Sequence, residues 1–176
     1  MERDVDRRGA FEEMFTEHYW AVRGYVLRRS PAAAEDVVAE TFLVAWRRLD
    51  AVGEDPLPWL LGVARRVLAN QQRADRRRGA LAARLQGLLP GQTPDWEPPA
   101  AMSDELAVAM VRLSPQEREA LLLVAWEGLD GARAARVAGC SPVAFRARLH
   151  RARQHVATAL AETAIAPNSS IAGESP

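Results

Sequence analysis

Four of the eleven prolines in this chain fall within ten residues, at Pro90, Pro94, Pro98 and Pro99, with Gly87 and Gly91 beside them. Proline lacks a backbone N–H and its ring clashes with the preceding turn, so no helix survives that density. Residues 79–101 therefore read as a linker, and the 176 residues divide into two small domains, 1–78 and 102–162, with a flexible tail at 163–176. On either side of the linker the chain is rich in Ala, Leu, Arg and Glu, which are good helix formers. The expected fold class is all-α.

Apolar spacing sets the helices. Phe11, Phe15, Val22 and Val26 recur at helical intervals. Ser30-Pro31 supplies a cap and a first-turn proline, predicting a second helix whose stripe is Val38, Phe42, Ala45 and Leu49. A third helix is predicted from about Pro58 to Arg78, apolar through Leu68 and polar beyond it. After the linker, four helices are predicted. One covers Ser103 to Leu113, and a second starts at the capping box Ser114-Pro115-Gln116-Glu117. A short helix from Gly131 to Ala138 follows, and the last runs from Ser141-Pro142 to about Ala161.

Several chemistries drop out. The one cysteine, Cys140, cannot form an internal disulfide, and no His or Cys stands at zinc-ligand spacing. The longest purely apolar stretch, Leu57 to Ala64, is far short of the roughly twenty residues a membrane span needs. The charged start, Met1-Glu2-Arg3-Asp4, does not read as a signal peptide. No phosphate-binding glycine loop, nucleophile elbow, metal cluster or catalytic constellation is present, so neither an enzyme, a cofactor nor a small-molecule substrate is expected. The expected location is the cytoplasm.

A formal net charge of zero hides strong segregation. Residues 1–64 carry eight Arg against twelve acids, residues 65–78 six Arg against one acid, and residues 133–153 six Arg and no acid. Two basic segments, each on a predicted helix, are the footprint of a polyanion. Every one of the 23 basic residues is Arg, which suits forked contacts to phosphate or guanine, although GC-rich coding produces the same bias.

The second basic segment has the pattern of a helix-turn-helix. A short helix, the turn Ala138-Gly139-Cys140-Ser141 and an Arg-rich helix follow one another. At about 100° per residue, Phe145, Leu149, Ala152 and Val156 share one face of the last helix. Ala147, His150, Arg151 and Gln154 lie opposite, with Arg146 and Arg153 on one flank and Arg148 on the other. A thin apolar stripe under a basic face fits the major groove. An ordinary helical hairpin is the bland alternative.

Four stretches resemble a known family. Ala33-Ala34-Glu35-Asp36-Val37-Val38-Ala39-Glu40-Thr41-Phe42-Leu43-Val44-Ala45-Trp46 resembles the D-A-E-D-L-V-Q-E-T-F-L-x-A-W motif of bacterial sigma factors of the extracytoplasmic-function type. Trp59 to Arg66 resembles that family's W-L-x-x-I-A-R-N, Leu113 to Leu121 its L-P-P-x-x-R-E-A-L, and Arg146 to Arg153 its K-S-R-L-H-R-A-R. The four occur in order across most of the chain. Departures are Ala39 for Gln, Arg66 for Asn, Asn70 for Asp, Ala144 for Thr and Ala147 for Ser, while Ala134 and Ala138 replace bulkier residues.

The resemblance implies a sigma factor that binds core RNA polymerase and directs it to promoters, the polymerase doing the chemistry. Its region 2 would dock on the clamp helices of the largest subunit through Asp36, Val37, Glu40, Thr41 and Leu43. It would hold the melted minus-ten element through Asp50, Trp59, Arg65, Arg66, Asn70, Arg73, Arg76 and Arg77. The acidic loop from Asp50 to Leu57 falls where the family flips a base into a protein pocket, and Trp59 serves either to stack or to pack. Region 4 would sit on the flap and read the minus-thirty-five element through Arg146, Ala147, Arg148, His150, Arg151 and Arg153. An anti-sigma factor is a common partner in the family.

Three other readings compete. A stand-alone helix-turn-helix regulator needs a ligand or receiver domain, and the first half shows none. A helical enzyme needs a constellation that is missing. An anti-sigma or other adaptor without DNA contacts sits poorly with two arginine runs.

Overall fold

The computed structural model describes residues 2–85, 96, 98–99 and 102–165. Seven α-helices and two short 3-10 turns, with no strand, make up these residues. Helix α1 spans Glu2–Leu27, α2 Ala34–Arg47 and α3 Pro56–Leu85. Helices α4 Asp104–Val111, α5 Pro115–Ala125, α6 Gly131–Ala138 and α7 Pro142–Ile165 follow. The prolines and glycines expected to break the chain at 87–94 lie outside the described residues.

Helices α1, α2 and α3 pack together around Val22, Tyr25, Val26, Val37, Phe42, Leu60, Leu61 and Ala64, all buried. Phe15 meets Phe42 edge-on at 4.7 Å between ring centroids, and Phe11 meets Trp46 at 5.2 Å. Such aromatic pairs add about 0.5–1.5 kcal/mol each beyond the area they bury. Among helices α4 to α7, α7 is the spine, touching α4, α5 and α6. Phe145 is fully buried, and truncating it to Ala should cost about 3–5 kcal/mol.

Some boundaries differ from those the sequence predicts. Ser30 makes no side-chain cap; it precedes a 3-10 turn at Pro31–Ala33, and α2 begins only at Ala34. A proline at the start of a turn fixes φ, but the capping bond also needs the serine hydroxyl to aim at a free N–H. Helix α3 starts at Pro56, placing Pro58 in its first turn, where a missing N–H goes unneeded. It continues past Arg78 to Leu85 through Gly79-Ala80-Leu81-Ala82-Ala83-Arg84, mostly good helix formers, because the breaking prolines come later. The capping box at Ser114 forms as predicted: the hydroxyl accepts from the Glu117 N–H, and the Glu117 carboxylate accepts from the Ser114 N–H.

The two halves share one core. Buried residues of α1 to α3 run without a break into Ala120, Leu123, Leu129, Ala134, Ala135, Val137, Phe145 and Leu149. A second cluster joins Met110, Leu113, Leu122 and Ala152 to Trp96, whose ring lies beneath the Arg118 guanidinium at 4.9 Å. Helix α6 packs directly on α3.

Candidate nucleic-acid and polymerase interface

The helix-turn-helix is assembled by local polar contacts. Asp130 caps α6, its carboxylate accepting from the N–H groups of Ala132 at 2.8 Å and Arg133 at 2.9 Å. The Arg133 amide, aided by that of Ala132, holds the Asp130 carboxyl below its ordinary value. Gly139 ends α6 at φ 66° and ψ 39°, a left-handed conformation that glycine adopts without a Cβ penalty. The Ser141 hydroxyl then accepts from the Ala144 N–H at 3.2 Å and opens α7. Cys140, in the turn, packs against the core.

On α7 the apolar stripe points inward, with Phe145, Leu149 and Ala152 buried. Arg146, Ala147, His150, Arg151 and Arg153 are exposed, and Arg148 is half-buried. One feature is invisible on a helical wheel. Arg151 Nε lies 3.7 Å from the Glu117 carboxylate, and His155 Nδ1 lies 3.5 Å from the same oxygen. Burial pushes the Glu117 carboxyl up, but the Ser114 hydroxyl and amide outweigh it, and with His155 hold it below its ordinary value. Arg151 thus leans toward the start of α5.

On α2, Asp36, Glu40 and Leu43 are exposed, but Val37 and Thr41 are not. Both have no accessible surface, and the Thr41 hydroxyl donates to the Val37 carbonyl at 2.7 Å inside the core. The expectation that Val37 and Thr41 touch polymerase is therefore corrected. Being four residues apart, they share the inner face of the helix, each about 100° round from the exposed acid that precedes it.

On α3, Arg66, Asn70, Arg73, Arg76 and Arg77 are exposed, while Trp59 and Arg65 are half-buried. Trp59 packs against the core. Arg73 Nη2 donates to the Asn70 side-chain oxygen at 2.7 Å. Asp50 stands almost free of the surface, 3.6 Å from Arg7 of α1.

Packing α6 on α3 brings the two basic segments to one place. Trp59, Arg65, Arg66, Arg136 and Gly139 line a shared cavity of about 260 Å³. At its edge Asp55, just before α3, receives a forked contact from Arg133, Nε to Oδ2 at 3.1 Å and Nη2 to Oδ1 at 2.7 Å. Arg136 Nη1 adds a third bond to Asp55 Oδ2 at 3.2 Å.

A buried network ties the halves on the other side. Arg29 Nε donates to Glu119 Oε2 at 3.1 Å, and Arg29 Nη1 to Glu127 Oε1 at 3.0 Å. Arg28 donates to the other oxygen of Glu127. The Tyr25 hydroxyl donates to Glu119 Oε1 at 2.9 Å. Burial raises that hydroxyl's pKa well above the ordinary tyrosine value, with Arg29 opposing. None of Arg28, Arg29, Glu119, Glu127, Asp55 and Arg133 stands out in the sequence as a contact across the linker. Their separations of 78 to 99 residues carry no periodic signal, and ordinary charged residues on helices resemble solvated ones.

Among the described residues no group of three or more His, Cys, Asp or Glu is placed to hold a metal ion, and no helix is long and apolar enough to cross a membrane. Described residues that are helical without a strand, with an exposed, arginine-rich helix after a tight turn, define a protein of the helix-turn-helix DNA-binding class. Comparison with known proteins narrows that class. The family described as Sigma-70 region 2 matches residues 14–78, and Sigma-70, region 4 matches residues 103–156. RNA polymerase sigma factor CarQ of Myxococcus xanthus is 31% identical over 167 residues, covering 92% of this chain and 96% of that protein. ECF RNA polymerase sigma factor SigL of Mycobacterium tuberculosis is 30% identical over 158 residues, covering 86% and 89%. Among solved structures, the sigma factor RpoE bound to the anti-sigma factor NepR of Bartonella quintana superposes with a TM-score of 0.64 at 25% identity, over 86% of this chain and 96% of that one. CnrH in complex with the cytosolic domain of CnrY gives 0.55 at 27% identity, over 88% and 90%. The chain belongs to the extracytoplasmic-function sigma factors of the sigma-70 family.

Proposed function

We propose that this chain binds core RNA polymerase and directs it to promoters, region 2 taking the minus-ten element and region 4 the minus-thirty-five element. The observation that supports this reading best is the pair of sigma-70 regions, in order, with an exposed basic helix in the second. Region 2 is assigned to residues 1–78 and region 4 to residues 102–162, with α3 running on to Leu85 into the linker segment 79–101 and α7 to Ile165 into the segment 163–176. Asp36, Glu40 and Leu43 form the polymerase contact on α2, on the clamp helices of the largest subunit, with region 4 on the flap.

Asp50, Trp59, Arg65, Arg66, Asn70, Arg73, Arg76 and Arg77 form the minus-ten surface. Single-stranded DNA is held by arginine at its phosphates and by aromatic stacking at its bases. Stacking by Trp59 requires its ring to be uncovered, since it packs against the core. Arg146, Arg148 and Arg153 meet phosphates at the upstream element, while Ala147, His150 and Arg151 meet base edges. The chain works in the cytoplasm, where polymerase performs the chemistry and the chain itself catalyses none. An anti-sigma factor is a fitting partner, because the similar sigma factor RpoE is solved in complex with the anti-sigma factor NepR.

Run-off transcription with core polymerase and genomic DNA tests this reading. Defined transcripts that depend on the chain support it. A chain that binds duplex DNA but not core polymerase would be a stand-alone helix-turn-helix regulator instead.

A further inference from the structure

We propose that Asp55 is an intramolecular stand-in for a DNA phosphate. It occupies the Arg133–Arg136 fork of the helix-turn-helix, so that closing the two domains and engaging duplex DNA exclude one another. The inference rests on the DNA-binding role of region 4 and adds a regulatory contact to it.

Geometry carries the argument. Arg133 grips Asp55 with two N–H donors, one to each carboxylate oxygen, at 3.1 and 2.7 Å, the forked pairing guanidinium also uses for phosphate. Arg136 lies three residues on, on the same face of α6, and adds a bond at 3.2 Å to one of the same oxygens. In a helix-turn-helix the first helix crosses the DNA backbone while the second enters the groove. The donors that would meet a backbone phosphate on α6 are thus already spent on a carboxylate from the other domain. The same packing sets Arg136 and Gly139 against Trp59, Arg65 and Arg66, so both basic segments face each other across a cavity of about 260 Å³. Like charges brought together there favour opening unless Asp55 offsets them.

Closure is built to be reversible. The shared apolar core sets how the halves sit, and the buried pairs of Arg28 and Arg29 with Glu119 and Glu127 add little net hold to it, because burying charge costs nearly what the pairing returns. Arg28 Nε and Arg29 Nη2 are buried with no hydrogen-bond partner among the described residues, which weakens the closed state further. By contrast the Asp55 side chain and its two arginines are between 36% and 55% exposed, at the rim where a phosphate can compete. DNA offers many phosphates and releases counterions on binding, so it displaces a single carboxylate.

The test uses the full chain without polymerase. Dyes are placed at Glu13→Cys on α1 and Ala157→Cys on α7, both exposed positions, in a Cys140→Ala background. Energy transfer between them reports closure, and anisotropy reports binding to a mixed-sequence DNA duplex, since phosphate contacts carry no sequence information. Asp55→Asn should lower transfer and tighten duplex binding roughly threefold to tenfold, the range of a forked ion pair at a half-exposed rim. Arg133→Gln with Arg136→Gln should also lower transfer but weaken duplex binding. Asp55→Arg combined with Arg133→Asp and Arg136→Asp should restore transfer, with helix content by circular dichroism checking the fold of each variant. Unchanged transfer or unchanged duplex affinity in Asp55→Asn overturns the proposal, as does a charge-reversed variant that stays open. Neither readout involves transcription, so the sigma-factor reading stands or falls separately on the run-off assay.

Discussion

Arg29 and Glu119 stand ninety residues apart in the chain, yet the Arg29 Nε and a Glu119 carboxylate oxygen are 3.1 Å apart in the interior. The guanidinium is only 8% exposed and sits against Tyr25, 3.6 Å above the ring centroid. Burial alone would lower its pKa, but Tyr25, Glu119 and Glu127 together raise it, so it stays charged. Glu119→Ala leaves that charge short of a partner and should lower the unfolding free energy by about 3 kcal/mol. Urea unfolding measures this. Adding Arg29→Met should recover much of the loss, because the stranded charge is then gone. A double variant no more stable than Glu119→Ala would show that the pair is not the cause.

The exposed acids of α2 give a second expectation. Asp36→Arg with Glu40→Arg reverses two charges on one helical face without touching the core, since both are exposed. Retention of core polymerase in a pull-down should fall sharply while helix content stays the same. Full retention would remove α2 from the polymerase contact.

Arg73, Arg76 and Arg77 lie exposed on the polar half of α3. Replacing all three with Gln should lower open-complex formation on a closed promoter. A pre-melted template should lose less if they assist opening, and as much if they only hold phosphates. Permanganate footprinting separates the cases, and no change on either template would make this face merely solvated.

On α7 the predictions diverge residue by residue. Arg151→Ala should relax preference at one upstream base pair by about 1–3 kcal/mol. It must first leave Glu117, 3.7 Å away, so part of that contribution is offset in the complex. Arg153→Ala should weaken all sites alike and flatten the salt dependence. Binding to a set of single-base variants decides, and a base preference altered by Arg153→Ala would invert the assignment.

The capping box makes a pH prediction. Glu117 is held below its ordinary value of 4.5, so its contribution to stability is complete above that value and is lost as pH falls through the lower, folded value. Ser114→Ala removes the hydroxyl that donates to the Glu117 carboxylate and should flatten this acid limb of the stability profile. Thermal melts from neutral to acid pH in both chains check it. An unaltered acid limb would place the effect on other carboxylates.

Much of this molecule is local, and local physics is legible in a sequence. Apolar spacing marks the three helices of the first half and the last helix, Gly139 marks the turn, Ser114 to Glu117 mark a helix start, and the stripe from Phe145 to Ala152 separates an inner from an outer face. Each depends on residues within a turn or two of one another. The ends were less legible: the Ser30 hydroxyl was free not to cap, and α3 ran on to Leu85, because helix termini are settled by small differences among competing contacts. The chain sequence also pointed to exposed acids on α2 but not to the burial of Val37 and Thr41 beside them. What only the tertiary structure decided is the meeting of the two halves. Arg29 with Glu119, Arg28 with Glu127 and Asp55 with Arg133 are ordinary charges on helix surfaces until packing removes water from around them. A one-dimensional pattern records which face of a helix is polar; it does not record which other polar face, dozens of residues away, comes to lie against it.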